Sequence, residues 1–124
     1  MTAYHLGSTQ EDLQDWPFDN PASRYVILEG TPRASGRIDR GNGTAHHRLG
    51  IWRCTPGAFE CTERGDELQT IISGRLKLVR GDGSTEAFGP GDSFFTLKGE
   101  RVQWHIEETV TKVFFTHDPD GDND

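Results

Sequence analysis

The stretch E-L-Q-T-I-I-S-G, from Glu67 to Gly74, runs into R-L-K-L-V at residues 75–79 and decides the fold of this chain. Polar and apolar residues alternate from Arg75 to Leu78, which is the period-two pattern of a half-buried β-strand. A second segment, G-P-G-D-S-F-F-T-L-K-G at residues 89–99, pairs turn residues with another short apolar run. The two segments together indicate antiparallel strands joined by tight turns.

The rest of the chain follows the same pattern and shows no helical spacing. Asn and Gly at 41–43 and Asp and Gly at 81–83 are typical of hairpin turns. About ten short strands with turns between them predict a jelly roll or closed barrel, although the pattern alone also fits an immunoglobulin-like sandwich. The predicted strands are residues 25–28, 33–39, 47–55, 58–64, 67–73, 75–80, 84–88, 93–97, 102–107 and 109–117.

The chain divides into an N-terminal arm at 1–24, a strand-rich body at 25–117 and an acidic tail at 118–124. Glycine and prolines interrupt the arm, and we expect it to wrap the body or to reach a second subunit. Trp16 and Phe18 are its expected anchors, because burial of two aromatic rings offsets the ordering of a short segment. The tail is rich in aspartate and breakers, which predicts fraying.

Three pieces of sequence carry a family resemblance: G-I-W-R-C-T-P-G-A-F from Gly50, the Glu67-to-Gly74 spacing, and F-G-P-G-D-S-F from Phe88. They resemble the two-motif core of the cupin superfamily, and more narrowly the single-domain subfamily related to ureidoglycine aminohydrolase. The resemblance covers residues 25–117. It implies an all-β, cupin-type double-stranded β-helix, that is, a jelly-roll barrel, here with an N-terminal arm.

Metal-binding cupins hold one divalent ion with two histidines and a glutamate from the first motif and a histidine from the second. With Glu67 as that glutamate, the resemblance puts Val102 at the last ligand position, and valine cannot bind a metal. No histidine occupies the first two ligand positions either, so we expect no tightly held transition metal. The residues there are Glu60 and Thr62 or, with a shorter gap, Cys61 and Glu63.

Strand alternation leaves two readings of the last motif. If Val102 faces inward, Trp104 and Ile106 share its face and His105 points away. A slip of one residue instead puts Gln103 and His105 inside. A site made of Glu60, Glu67 and Gln103 has only oxygen ligands, which suit a hard ion such as Mn²⁺ or Mg²⁺.

The cluster of glutamates at 60, 63 and 67 also has a metal-free reading. At least two of them lie on solvated faces, or two face one cavity, where like charge and desolvation raise a pKa. We predict that Glu67 lies at the barrel mouth with a raised pKa. Trp52 and Trp104 pack in the core, stack on a ligand ring, or do both. The pocket-lining candidates are Trp52, Glu60, Cys61, Glu63, Glu67, Gln69, Val102 and Trp104.

The 124 residues carry a net charge of −7, which disfavours nucleic acid and anionic membranes as partners. The first ten residues do not read as a signal peptide, and no apolar run reaches the length of a membrane span, so we expect a cytoplasmic protein. Cys54 and Cys61 are expected to be reduced, with a redox pair possible if they lie side by side on paired strands.

These observations lead to a protein that binds a small organic molecule in the barrel without a cofactor. The alternative is a manganese-dependent, aminohydrolase-like enzyme acting on ureides or related nitrogen compounds, and it rests on the subfamily resemblance. A third reading is an accessory role, like that of the cupin proteins of ethanolamine-utilisation operons. We expect a homodimer formed through edge strands.

Overall fold

The computed structural model describes residues 1–122 and contains nine β-strands and no helix among them. The all-β prediction is therefore confirmed. Two of the predicted breaks, at Gly74 and at Glu108, are absent because the strands continue through them. The strands are β1 Gln14–Asp15, β2 Val26–Glu29, β3 Ala34–Arg40, β4 His47–Cys54, β5 Gly57–Thr62, β6 Asp66–Val79, β7 Thr85–Phe88, β8 Ser93–Thr96 and β9 Arg101–His117.

The two longest strands, β6 and β9, pair over residues 66–79 and 103–117 and belong to two sheets at once. On one side, β4 pairs with residues 110–117 of β9 and carries β3 and β1, while β8 pairs with the start of β6. On the other side, β5 pairs with residues 101–106 of β9 and carries β2, while β7 pairs with the end of β6. The two antiparallel sheets face each other as a jelly-roll barrel.

Gly74 marks the bend at which β6 passes from one sheet to the other. Its φ is +87°, a region that favours glycine, and a Cβ there would lie 2.1 Å from the carbonyl oxygen of Thr109. The pairing with β9 shifts register on both sides of this position. The glycine that ends the diagnostic motif is thus required both by conformation and by the close approach of the neighbouring strand.

The core lies between the two sheets at one end of the barrel. Val102, Trp104 and Ile106 are buried, whereas Gln103 and His105 are partly exposed and hydrogen-bonded to each other. Val102 therefore faces inward, which confirms the first of the two interpretations of this strand. The core cluster is Cys54, Phe59, Cys61, Ile71, Leu76, Leu78, Phe88, Val102, Trp104, Ile106 and Val110.

The N-terminal arm packs on the barrel of its own chain. The amide of Trp16 donates to the carbonyl of Ala34 at 2.9 Å, and its ring lies 6.2 Å from that of Phe114. The ring of Phe18 lies 4.7 Å from that of Phe59. The two aromatic residues of the arm therefore contact the open end of the barrel.

The tail is tied down as far as it is described. Asp118 accepts hydrogen bonds from Lys98 at 2.7 Å and from Arg48 at 3.4 Å, and Asp122 forms a β-bridge with Ala45. The prediction of fraying is wrong for residues 118–122 because lysine and arginine side chains neutralise the aspartates. Residues 123 and 124 lie outside the described part.

The two cysteines are free and buried, but they do not lie on paired strands. Cys54 pairs across to Val110 and Cys61 to Val102, so β9 stands between β4 and β5. Burial raises the pKa of the Cys54 thiol to about 12 and raises that of Cys61 as well. The side-by-side arrangement that a redox pair needs is absent.

No helix within residues 1–122 is long and apolar enough to cross a membrane.

Candidate functional site

A cavity of about 740 Å³ opens at one end of the barrel, and Phe59, Cys61 and Trp104 of the apolar core cluster form part of its wall. Side chains of β3, β4, β5, β6 and β9 line it, together with the arm, the turn at 41–43 and the loop at 62–65. Its size lies within the range of pockets that hold small organic ligands. The cavity is therefore the first candidate for a functional site.

Strand register arranges the inward side chains in cross-strand rows. The row nearest the mouth places Thr116 between Arg48 and Glu67. The row below places Phe114 beside Gly50, whose missing side chain leaves room for the ring: a Cβ there would lie 2.9 Å from it. The next row pairs Trp52, Lys112 and Ile71. The cavity is thus polar at its mouth and aromatic further in.

Lys112 is the central charged group of the cavity and is only 5% exposed. Its Nζ lies 4.6 Å from the ring centroid of Trp52 and 4.5 Å from that of Trp104, within cation–π range of both. It donates hydrogen bonds to Gln69 Oε1 and, at 3.4 Å, to Glu67 Oε2. An ammonium group is therefore held by two aromatic faces, an amide and a carboxylate.

Glu67 uses both carboxylate oxygens inside the barrel. Oε1 accepts a hydrogen bond from the hydroxyl of Thr116 at 2.5 Å, and Oε2 faces Lys112. The motif glutamate thus has its negative charge balanced by a lysine of this chain.

Glu63 is the cavity carboxyl whose charge is perturbed. Burial, followed by the nearby charge of Glu67, raises the pKa of Glu63 to about 8, although Lys112 and the indole of Trp104 oppose the shift. Glu63 Oε1 and Trp104 Nε1 are both buried and, within residues 1–122, neither completes a hydrogen bond of normal geometry. The raised pKa was predicted for Glu67. The structure shows it for Glu63, which stands four residues earlier in the chain.

The apolar wall is built from stacked and tilted rings. Phe59 lies parallel to Trp104, with centroids 6.0 Å apart and an interplanar angle of 6°. Trp52 is tilted by 58° against Trp104 at 5.6 Å, and Tyr25 lies edge-on to Phe59 at 5.8 Å. Phe59 and Trp104 are each only 2% exposed, so the partly buried rings of Trp52 and Tyr25 are the ones that a ring-containing ligand can contact.

The structure distributes the eight pocket candidates over three environments. Gln69 and Val102 are buried beside the cavity, and Gln69 also donates a hydrogen bond to Thr96 at 2.9 Å. Glu60 lies on the opposite face of β5, where it forms an ion pair with Arg101 at 2.9 Å. The candidates that line the cavity are Trp52, Cys61, Glu63, Glu67 and Trp104.

The residues present do not fit a transition metal. Glu60 and Gln103 are paired neighbours on the outer face, whereas Glu67 points into the cavity, so the three oxygen donors do not converge. Among residues 1–122 no three His, Cys, Asp or Glu side chains are grouped to hold an ion. Beside Glu67, the positive charge is supplied by the Lys112 ammonium.

Sequence reasoning missed several residues of the cavity, among them Arg48, Arg64, Lys112, Phe114 and Thr116. Lys112, Phe114 and Thr116 follow Val110 at intervals of two, so strand alternation alone puts them on one face, and a lysine between apolar inward positions was the available signal. Arg48 was missed because it stands near the start of a strand, next to polar residues that suggest an exposed position.

Comparisons with known proteins agree with this architecture. The sequence model of the EutQ-like cupin domain family matches residues 42–114, which is more than half of the chain. The chain belongs to the EutQ-like cupin family. No curated protein matches it.

Solved structures support the same fold. The Clostridium difficile EutQ protein is 18% identical with a TM-score of 0.63, covering 73% of this cupin and 71% of that chain. A DUF861 protein of unknown function from Pseudomonas syringae pv. tomato is 22% identical with a TM-score of 0.69, covering 83% and 43%. The polyketide cyclase RemF from Streptomyces resistomycificus is 19% identical with a TM-score of 0.62, covering 94% and 79%. At these identities the likeness concerns the fold.

Proposed function

We propose that this cupin binds one small organic molecule with a flat ring in the barrel cavity and holds no transition metal tightly there. The observation that carries the proposal is the Lys112 ammonium, which lies against Trp52 and Trp104 and faces Glu67. A second cation at Glu67 would meet the charge of this ammonium. The cavity volume of about 740 Å³ is large enough for a small organic guest.

The aromatic wall supports a ring as the apolar part of the guest. Trp52 is only partly buried and borders the cavity, so part of its ring is accessible to a guest. Ring pairs add about 0.5–1.5 kcal/mol beyond the burial of apolar area. Polar groups at the mouth then fix the orientation of the guest, which is the usual division of labour in small-molecule pockets.

Titration with 1-naphthalenemethanol, followed by tryptophan fluorescence and calorimetry, tests ring binding. We expect saturable binding of one molecule per chain, weakened about fivefold to tenfold in Trp52→Leu because one stacking face is lost. Phe95→Leu is the matched control, since it removes an aromatic ring that is 58% exposed on β8 and lies outside the cavity. Equal weakening in both variants, or unsaturable binding, contradicts the proposal.

Elemental analysis of the purified protein, with and without added Mn²⁺, tests the metal-free part. We expect much less than one ion per chain in both preparations. One Mn²⁺ per chain that disappears in Glu67→Gln would instead support the manganese-dependent, aminohydrolase-like enzyme suggested by the subfamily resemblance. No observation of the site favours that alternative, because Glu60 and Gln103 lie outside the cavity.

A further inference from the structure

We propose, resting on the proposed function, that the guest is an anionic ring compound whose negative group binds at the mouth between Arg48 and Arg64. Both side chains border the cavity on its polar side.

Arg48 is held in place with unused donors. It is only 5% exposed, and it donates to the carbonyl of Gly43 at 2.8 Å and to Asp118 at 3.4 Å. These bonds use two of the five N–H donors of a guanidinium. Asp118 is shared with Lys98, to which its bond is shorter, at 2.7 Å. The positive charge of Arg48 is therefore only partly balanced.

Arg64 adds a second positive charge to the same place. It is partly buried and forms no side-chain hydrogen bond or ion pair within residues 1–122. The fold places it beside Arg48, because the next residue, Gly65, packs on Thr116, which pairs with Arg48 across the strands. In agreement, burial lowers the pKa of Arg48, and the charge of Arg64 lowers it further. Two neighbouring guanidinium groups of which one lacks a partner form a favourable site for a carboxylate or a similar anion.

The acidic groups around the cavity leave this site open to an anion. Glu67 is bonded to Thr116 and Lys112, and Glu63, with its pKa raised to about 8 by burial, is mostly protonated at neutral pH. Asp15 and Asp19 of the arm also border the cavity, but both are exposed and therefore screened by water. Carboxylate repulsion at the mouth is consequently weak near neutral pH.

Calorimetry with 1-naphthoate and 1-naphthalenemethanol tests the inference, since the two probes share a ring and differ in charge. We expect the wild type to bind the carboxylate about tenfold or more tightly than the alcohol, as hydrogen bonds to charged groups predict. In Arg64→Gln this preference should fall to about twofold with the alcohol unaffected, and Arg64→Lys should retain part of it. Arg53→Gln, which removes an exposed arginine outside the cavity, is the matched control and should keep the wild-type preference.

Ring binding and the anionic ligand are contradicted by different results. If both probes bind the wild type equally, or Arg64→Gln weakens both alike, the anionic ligand is wrong and ring binding stands. If neither probe binds at 1 mM, roughly the weak end of useful affinities, ring binding and the anionic ligand both fail.

Discussion

Replacement of Glu63 by glutamine should stabilise this cupin, and the gain should grow with pH. The pKa of Glu63 is about 8 in the folded chain, against 4.5 for an ordinary glutamate, because the carboxyl is buried next to Glu67. The folded state therefore holds this proton more tightly than the unfolded state does. Its contribution is fully present below about pH 4.5 and is lost as the pH rises through about 8.

The magnitude follows from the two pKa values. Each pH unit between them costs the wild type about 1.4 kcal/mol, so the upper limit of the loss, reached above pH 8, is about 4–5 kcal/mol. Water reaches part of the Glu63 side chain, and we therefore expect about half of this, about 2 kcal/mol. For a domain of this size that corresponds to about 8 °C in Tm.

Thermal unfolding between pH 5 and pH 9 measures the effect. Glu63→Gln should unfold at nearly the wild-type temperature at pH 5 and at a higher temperature by pH 8, with no further gain above it. Glu60→Gln is the control, because Glu60 forms an ion pair with Arg101 on the outer face, and its small effect should not grow between pH 5 and 8. Equal Tm values at pH 8, or an NMR titration of Glu63 with an ordinary pKa, would refute the reasoning.

Three further predictions concern the bend, the buried ammonium and the outer face. A Cβ at Gly74 would collide with the neighbouring strand, so Gly74→Ala should lower the free energy of unfolding by at least about 1–3 kcal/mol, measured by urea denaturation, and an unchanged midpoint contradicts this. Lys112→Met should leave Glu67 without its cation and cost about 3–5 kcal/mol in the same assay, whereas a loss below 1 kcal/mol would show that the pair is not stabilising. On the outer face, Phe95 on β8 lies beside Leu68, Leu97 and Phe115, and the four side chains are 44–58% exposed. This apolar patch suits the centre of an interface of about 800 Å² per partner between two copies. Sedimentation should show a dimer at micromolar concentration and a monomer for Phe95→Glu, with Ile27→Glu on the other sheet as control; a monomeric wild type counts against the dimer.

The fold was predictable because its decisive signals are local. Alternation along residues 75–78 and glycine-containing turns identify strands without knowledge of their partners. The inward direction of Val102 and Trp104 followed once the strand phase was chosen. The two breaks placed in β6 and β9 were wrong because a bent strand and two strands in sequence have nearly the same pattern. A register shift at Gly74 bends the strand without ending it.

The candidate site was less predictable because it depends on contacts between distant strands. Glu60 and Glu63 are equivalent by residue type, and only burial beside Glu67 distinguishes the perturbed carboxyl from the one paired with Arg101. Lys112 was overlooked because a lysine in a strand is usually solvated. Its place inside the barrel becomes clear only when Trp52 and Trp104 are seen on both sides of it.

The sharing of β6 and β9 between both sheets has a mechanical consequence. Because both sheets contain these two strands, the barrel has no hinge at which the sheets could separate. The guest that we propose would therefore enter through the open end, past the segment that carries Trp16 and Phe18, which is held at the rim by a few ring contacts and hydrogen bonds. In that case the rigid interior of the barrel limits the size of the guest, and the movement of this short segment limits the rate at which the guest exchanges.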